Sequence, residues 1–213
     1  MNIFKTALTN LSVMGALLFS PMMIADVSGS VGISSDYFWR GVSQNNMSPA
    51  IDLSLEVSEG RWFGGVWASQ VDFGDEARVE YDLYGGINVV SHNDFELDLG
   101  YIQYRWDRVY DDVEEVFITA SYKGLDMSYH RDRHDARSNY LEVGVDVPWV
   151  DMVDMSVHYG LLNNGDDIYS IKMSKNLSDR LILSAMLFQG PDENLDDVSI
   201  GRDNLMVALH YNF

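Results

Sequence analysis

The chain has 213 residues, no cysteine and a formal net charge of −19, from 14 Lys and Arg against 33 Asp and Glu. So acidic a chain does not present the clustered basic surface that nucleic acid needs, and without cysteine it has no disulfide, thiolate metal site or thiol nucleophile. Apolar residues at 46% and aromatics at 12% exclude an unfolded acidic polymer as well.

The first 25 residues, "MNIFKTALTNLSVMGALLFSPMMIA", carry one charge at Lys5, then an apolar stretch centred on Val13 to Phe19. Pro21 follows, and the segment closes on the small residue Ala25 before the polar "DVSGS". That order is a secretory signal peptide over 1–25, leaving a domain over 26–213.

From there on the apolar period is two. In "AIDLSLEVS", Ile51, Leu53, Leu55 and Val57 share one face and Asp52, Ser54, Glu56 and Ser58 the other. "ARVEYDLYGGINVV", "DFELDLGY" and "YLEVGVDVPW" repeat the pattern. The breaks predict about twelve strands: 28–42, 49–58, 62–73, 77–90, 94–106, 113–123, 125–133, 138–149, 153–163, 167–176, 180–190 and 203–213. Tight turns at "SEGR", "SHND", "KGLD", "WVDMV" and "NLSDR" alternate with longer, more charged connections, the widest being "GPDENLDDVSIGRD". Pro49 and Pro148 fall near strand ends and Pro191 in a loop, where a missing N–H costs little.

An even strand count with short turns on one side and long loops on the other predicts an all-β, closed antiparallel transmembrane β-barrel. The short turns are expected on the periplasmic side of an outer membrane and the longer loops outside. Lipid allows no unpaired backbone N–H or C=O, so a sheet that spans it must close. The apolar face then looks outward, and Asp52, Glu56, Glu80, Asp82, Glu96, Asp98, Glu142 and Asp146 line the interior with Lys172. Such an acidic lining concentrates cations and excludes anions. Tyr84, Ile102, Tyr104, Phe117, Ile182, Met186 and Phe188 share that face and would narrow a lumen of roughly 12 Å backbone radius. Trp39, Trp62, Trp106 and Trp149, with Tyr37, Phe38, Phe63, Phe95, Tyr104 and Phe188, fall near strand ends and are expected to form headgroup girdles; Trp67 falls mid-strand.

Val31 to Val57, "VGISSDYFWRGVSQNNMSPAIDLSLEV", followed by Phe63 to Asp75, "FGGVWASQVDFGD", resembles the TorF family of porins of bacterial outer membranes. The features that match are "SSDYFWRG", the "SQ" after it, "P-A" opening the next strand, "VWASQVDFGD", the run "EYDLYGG" and the terminal aromatic. The close match covers about the first third of the mature chain. The resemblance implies an outer-membrane channel and carries over neither a substrate nor site residues.

Three groupings invite chemistry. Ser156 and His158 in "MSVHYG" share one strand face as a nucleophile and base would, but no orienting third group or oxyanion hole is evident. His130 and His134 in "HRDRHDAR" have a helical metal spacing, yet they lie at a strand end beside Arg131, Arg133 and Arg137, which repel a cation. Asp192, Glu193, Asp196, Asp197 and Asp203 lack the ligand spacing of a calcium loop. Lumen polarity and solvated loops account for all three.

The expected function is therefore a porin-like channel for passive diffusion of ions or small solutes, cation-leaning, without cofactor and not an enzyme. A non-conducting structural or adhesion barrel is the alternative, and an outer-membrane hydrolase the third. Expected partners are outer-membrane lipid and lipopolysaccharide, and barrel-assembly machinery reading the closing strand "LMVALHYNF"; a homo-oligomer is compatible with the fold.

Overall fold

A computed structural model of the chain describes residues 25–135, 138–148, 152–190 and 204–213. The expected signal peptide up to its last residue, Trp149, Arg137, Pro191 and the acidic group from Asp192 to Asp203 lie outside these. The strands are β1 (Asp26–Ser34), β2 (Phe38–Trp39), β3 (Val42–Ser43), β4 (Ala50–Glu59), β5 (Trp62–Gln70), β6 (Val79–His92) and β7 (Phe95–Trp106). They continue as β8 (Val113–Tyr122), β9 (Leu125–Asp132), β10 (Asn139–Asp146), β11 (Asp154–Leu162), β12 (Asp167–Asn176), β13 (Leu181–Gln189) and β14 (Asn204–Asn212). All except β2 and β3 form one closed barrel of twelve antiparallel strands, each paired with its neighbours in the chain.

Closure is made by β14 on β1, with Val31 opposite Tyr211 and Ile33 opposite Leu209. The last residue locks the seam: Gly29 N–H donates to Phe213 O at 3.0 Å, and Phe213 N–H returns the bond to Gly29 O at 2.9 Å. The Phe213 ring lies against Gly29, where an added Cβ would come within 2.7 Å of the ring and 2.9 Å of Leu55 Cδ2. A side chain at that position would have to displace the Phe213 ring or the end of Leu55.

The tight turns follow from chain chemistry. Asn93 and Asp94 both have positive φ (48° and 66°), as do Lys123 and Gly124 (50° and 82°), the left-handed pair that a two-residue hairpin of type I′ demands. Ahead of the Asn93–Asp94 turn, β6 carries a bulge between Asn88 and Val90. Arg61 caps it, donating from Nε to Asn88 O at 2.7 Å and from Nη2 to Val89 O at 2.6 Å.

Parity sorts the side chains. Ile51, Leu53, Leu83, Leu99, Ile118, Met127, Ile171, Leu183, Val207 and Leu209 are exposed on the outer surface. Asp52, Glu56, Glu80, Asp82 and Glu115 are buried on the inner one. A soluble barrel would reverse these faces, so the outer belt is the lipid-facing surface of a transmembrane barrel. Among the described residues no helix is long and apolar enough to cross a membrane.

The first expected strand, 28–42, needs correction: β1 ends at Ser34, and the chain then turns inward through the short β2–β3 hairpin. The girdle expectation is corrected with it. Trp39, Tyr37 and Phe38 sit inside the barrel against Tyr104, Trp67 and Phe188 respectively, and Trp106 donates inward to Glu80. A strand end is close to both the rim and the lumen, and parity then decides which one a ring enters.

Leu53 lies midway along β4 on the outer face, opposite Val31 and Ala68. Leu53→Arg should destabilise the barrel in phospholipid vesicles by about 2–4 kcal/mol, read as a lowered denaturant midpoint for the folded, heat-modifiable form.

Candidate functional site

The inner face of the barrel is divided in two. At the tight-turn end lies a cavity of about 600 Å³ whose lining includes the carboxylates Asp26, Glu56, Glu96, Asp98 and Asp126, with Trp62, Phe63 and Phe117. Towards the long-loop end the lumen is occupied by the segment between β1 and β4, carrying the β2–β3 hairpin.

That hairpin is held by Arg40. Its φ of 48° is left-handed, as is that of Gly41 at 81°, so the pair makes the hairpin turn. Left-handed backbone is costly for a side chain as long as arginine, and the guanidinium's bonds offset the cost. Arg40 Nη1 donates to Glu115 Oε1 at 2.8 Å and Nη2 to Oε2 at 2.7 Å, a bidentate pair with side chains 7% and 0% exposed. The guanidinium also lies 4.3 Å from the Trp39 ring centroid and 4.5 Å from that of Tyr140. Glu115 further accepts from Tyr104 hydroxyl at 3.0 Å, and His130 Nδ1 lies 3.2 Å from it.

Around this pair the other inward carboxylates are hydrogen-bonded in turn. Tyr37 hydroxyl and Trp106 Nε1 both donate to Glu80 at 2.9 Å, and Tyr84 hydroxyl donates to Glu56 at 3.0 Å. Asn88 Nδ2 donates to Asp98 at 2.8 Å. Phe38 packs edge-on against Phe188 at 4.3 Å between centroids, and Tyr37 on Trp67 at 4.9 Å.

The nine residues expected to line the interior all fall on the inner face, but in different settings. Glu96, Asp98 and Glu56 face the cavity. Glu80 and Asp82 are buried beside the hairpin, where Asp82 Oδ1 has no hydrogen-bond partner. Asp52 lies 3.3 Å from His210 Nε2 across the closing seam. Asp146 is half-buried, and Lys172 stands opposite Ser156 in the β11–β12 register. Glu142 binds His158, as described below. Arg40, Glu115, Asp126 and Asp132 add to the inner charge and were missed in the sequence. Glu115 and Asp126 alternate correctly with their neighbours, but the hairpin that brings in Arg40 reads as a continuation of β1.

The Ser156–His158 pair gains the third group that its sequence did not reveal. Ser156 Oγ is 2.9 Å from His158 Nε2, and His158 Nδ1 is 3.0 Å from Glu142 Oε1, whose other oxygen accepts from Tyr140 hydroxyl at 3.0 Å. The chain of contacts is that of a nucleophile, base and orienting acid. Yet Ser156 is only 1% exposed, and the backbone of β11 there is paired with β10 on one side and β12 on the other. An acyl carbon has no approach and a developing oxyanion has no free N–H, so the geometry is that of a buried polar relay. His130 and His134 are separated: His130 turns inward to Glu115, whereas His134 lies near Glu114 outside.

At the long-loop end the connections are held to one another by exposed polar contacts. Tyr110 hydroxyl donates to Asp75 and holds that carboxyl below its ordinary range, while the N–H groups of Arg78 and Val79 do the same for Asp107.

The profile of a bacterial protein family of unknown function, Gcw_chp, matches residues 20–166. No curated protein matches the chain in sequence. Among solved structures, the KdgM porin in complex with disordered oligogalacturonate has a TM-score of 0.60 at 8% identity, covering 89% of this chain and 99% of that one. The KdgM porin itself gives 0.59 at 7% identity with the same coverages. Outer membrane phospholipase A from Escherichia coli gives 0.50 at 10% identity, over 86% of this chain and 92% of that one. At such identities the likeness is one of fold: a porin-like barrel.

Arg40→Ala strands Glu115 as a buried, uncompensated charge and should cost about 3–5 kcal/mol in denaturant unfolding, with Arg40→Lys recovering only part because it loses the fork. A fluorophosphonate should leave Ser156 unmodified in the folded protein by intact mass; an adduct lost in Ser156→Ala would instead establish a reactive nucleophile.

Proposed function

This chain belongs to Gcw_chp, a bacterial protein family of unknown function, and on that premise we propose that it is an outer-membrane porin-like channel for passive diffusion of ions and small solutes, with a preference for cations. The observation that carries the reading is the acid-lined cavity of about 600 Å³ at the tight-turn mouth, inside a barrel whose outer belt is apolar. Carboxylates converging on a water-filled mouth with low-dielectric walls raise the local cation concentration and repel anions. The porin-like fold supports the reading, as does the TorF-like character of the segments that build the lumen: "SSDYFWRG" supplies the hairpin, and "EYDLYGG" supplies Glu80, Asp82 and Tyr84.

In this reading the tight turns and both ends of the barrel face the periplasm and the longer loops face outside. The leader is removed near Ala25, and the closing strand ending in Phe213 is offered to the assembly machinery. Asp52, Glu56, Glu80, Asp82, Glu96, Asp98, Glu142, Asp146 and Lys172 line the path. The β2–β3 hairpin is its constriction. Glu115 neutralises Arg40 there, so the narrow zone keeps the sign of the carboxylates around it instead of acquiring a positive barrier.

A second reading, a non-conducting barrel acting through its outer loops, is favoured by the same hairpin. The packing of Tyr37, Phe38 and Trp39 against the wall fills much of the upper lumen.

Single-channel recording in planar bilayers separates the two. Discrete conductance steps with a cation-side reversal potential in a KCl gradient are expected, and Arg40→Ala should enlarge the step by freeing the hairpin. A silent protein that remains silent in Arg40→Ala supports the structural reading. Glu96→Gln combined with Asp98→Asn should move the reversal potential towards zero, since both carboxylates line the mouth; an unchanged potential would remove them from the ion path.

A further inference from the structure

The outer surface of the barrel carries a charged strip that neither the cavity nor the hairpin uses. Arg105 in β7, Arg131 in β9 and Arg133 just beyond β9 lie on outward positions of one sector, at the long-loop end. Their order follows from the register. Tyr101, Val116, Arg131 and Asn139 form one row across β7 to β10. One row deeper are Leu99, Ile118, Tyr129 and Leu141, of which Leu99, Ile118 and Tyr129 are exposed members of the apolar belt. One row higher, Gln103 pairs with Glu114, and Arg133 N–H donates to Glu114 O at 2.9 Å.

Two of the three arginines have protein partners. Arg105 Nε lies 3.0 Å from Asp112, and Arg133 Nη1 donates to Glu114 at 2.5 Å. Arg131 is exposed, and among the described residues it has no hydrogen-bond or ion-pair partner. It is also the deepest of the three, in register with exposed Val116 and one row above Leu99, Ile118 and Tyr129.

A guanidinium at that depth faces headgroups rather than bulk water. Unpaired there it is costly, and the anion available at that level is a lipid phosphate. Arg131 and Arg133 are two residues apart on the same face, about 6.7 Å along the strand. That spacing lets both forks reach one phosphate group from either side, the geometry in which arginine outperforms lysine. The apolar row beneath would meet the acyl chains of the same molecule.

We propose that the outer face of β8 and β9 is a binding site for the phosphorylated headgroup of an anionic membrane lipid in the leaflet at the long-loop end, with Arg131 as its principal ligand and Arg133 as its second. The depth of Arg131 selects a lipid over free phosphate. The inference rests on the barrel spanning a membrane and is independent of conduction, so a silent channel would leave it standing.

The test is native mass spectrometry of the refolded protein in nonionic detergent, titrated with lipid A, dephosphorylated lipid A or inorganic phosphate. Lipid A should be retained, with retention weakened about tenfold by Arg131→Ala and further by adding Arg133→Ala. Arg131→Lys should recover part of it, and Lys175→Ala, at the opposite end of the barrel, should change nothing. Equal retention by Arg131→Ala would overturn the site, and equal retention of the dephosphorylated lipid would reduce it to apolar contact. Displacement of lipid A by millimolar inorganic phosphate would make it a free-phosphate site and overturn the assignment to lipid. Heat-modifiable migration identifies folded samples, and Arg131→Gln serves if the alanine variant does not fold.

Discussion

Inside a bilayer a backbone amide has no water to fall back on, and this requirement governs the whole molecule. Every strand must be flanked on both sides, so the first must find the last. Here β14 returns to β1, and the reciprocal bonds between Gly29 and Phe213 finish the ring at its edge. The terminal aromatic is thus part of the closure itself. Its ring occupies the space that a side chain at position 29 would need.

Closure has a second consequence, because a closed sheet has only an inside and an outside. With apolar residues on one parity and carboxylates on the other, lipid takes the first and the lumen takes the second. The lumen then concentrates like charges in a confined volume, where an unpaired carboxylate is expensive. Tyrosines 37, 84, 104 and 140 and Trp106 meet part of that need by donating to glutamates. Glu115 gains a further partner from the β1–β4 connection, which folds inward so that Arg40 reaches it on the far wall. One arginine thereby joins the stability of the interior to the free width of the lumen. At the tight-turn end Glu96, Asp98 and Asp126 line the cavity.

Strand alternation made most of this architecture legible. The boundaries of β4 to β14 lie within a few residues of those the pattern predicts, because lipid on one face and water on the other impose a strict two-residue code. The same code assigned Glu80, Asp82, Glu96, Asp98 and Glu142 to the interior. It failed between residues 35 and 49. There "DYFWRGVS" keeps an alternating, aromatic-rich look that suits both a continued strand and a hairpin packed on a wall, and only the left-handed backbone of Arg40 and Gly41 separates the two. The girdle expectation failed for Tyr37, Phe38, Trp39 and Trp106 for a related reason, since a ring near a strand end can sit at a headgroup or turn into the lumen. Glu142 could not be matched to Ser156 and His158 either, because strand register between β10 and β11 brings them together and no local spacing encodes it.

The sequence by itself determined the topology, the parity of each strand and therefore the sign of the interior, since these depend on local alternation and on a solvent that punishes open edges. Only the tertiary structure decided which groups each carboxylate meets, where Arg40 goes, that Ser156 is buried and that Arg131 stands without a partner among the described residues. These depend on which side chains the closed ring brings across the lumen or into one row, distances set by register and closure rather than by any neighbour in the chain.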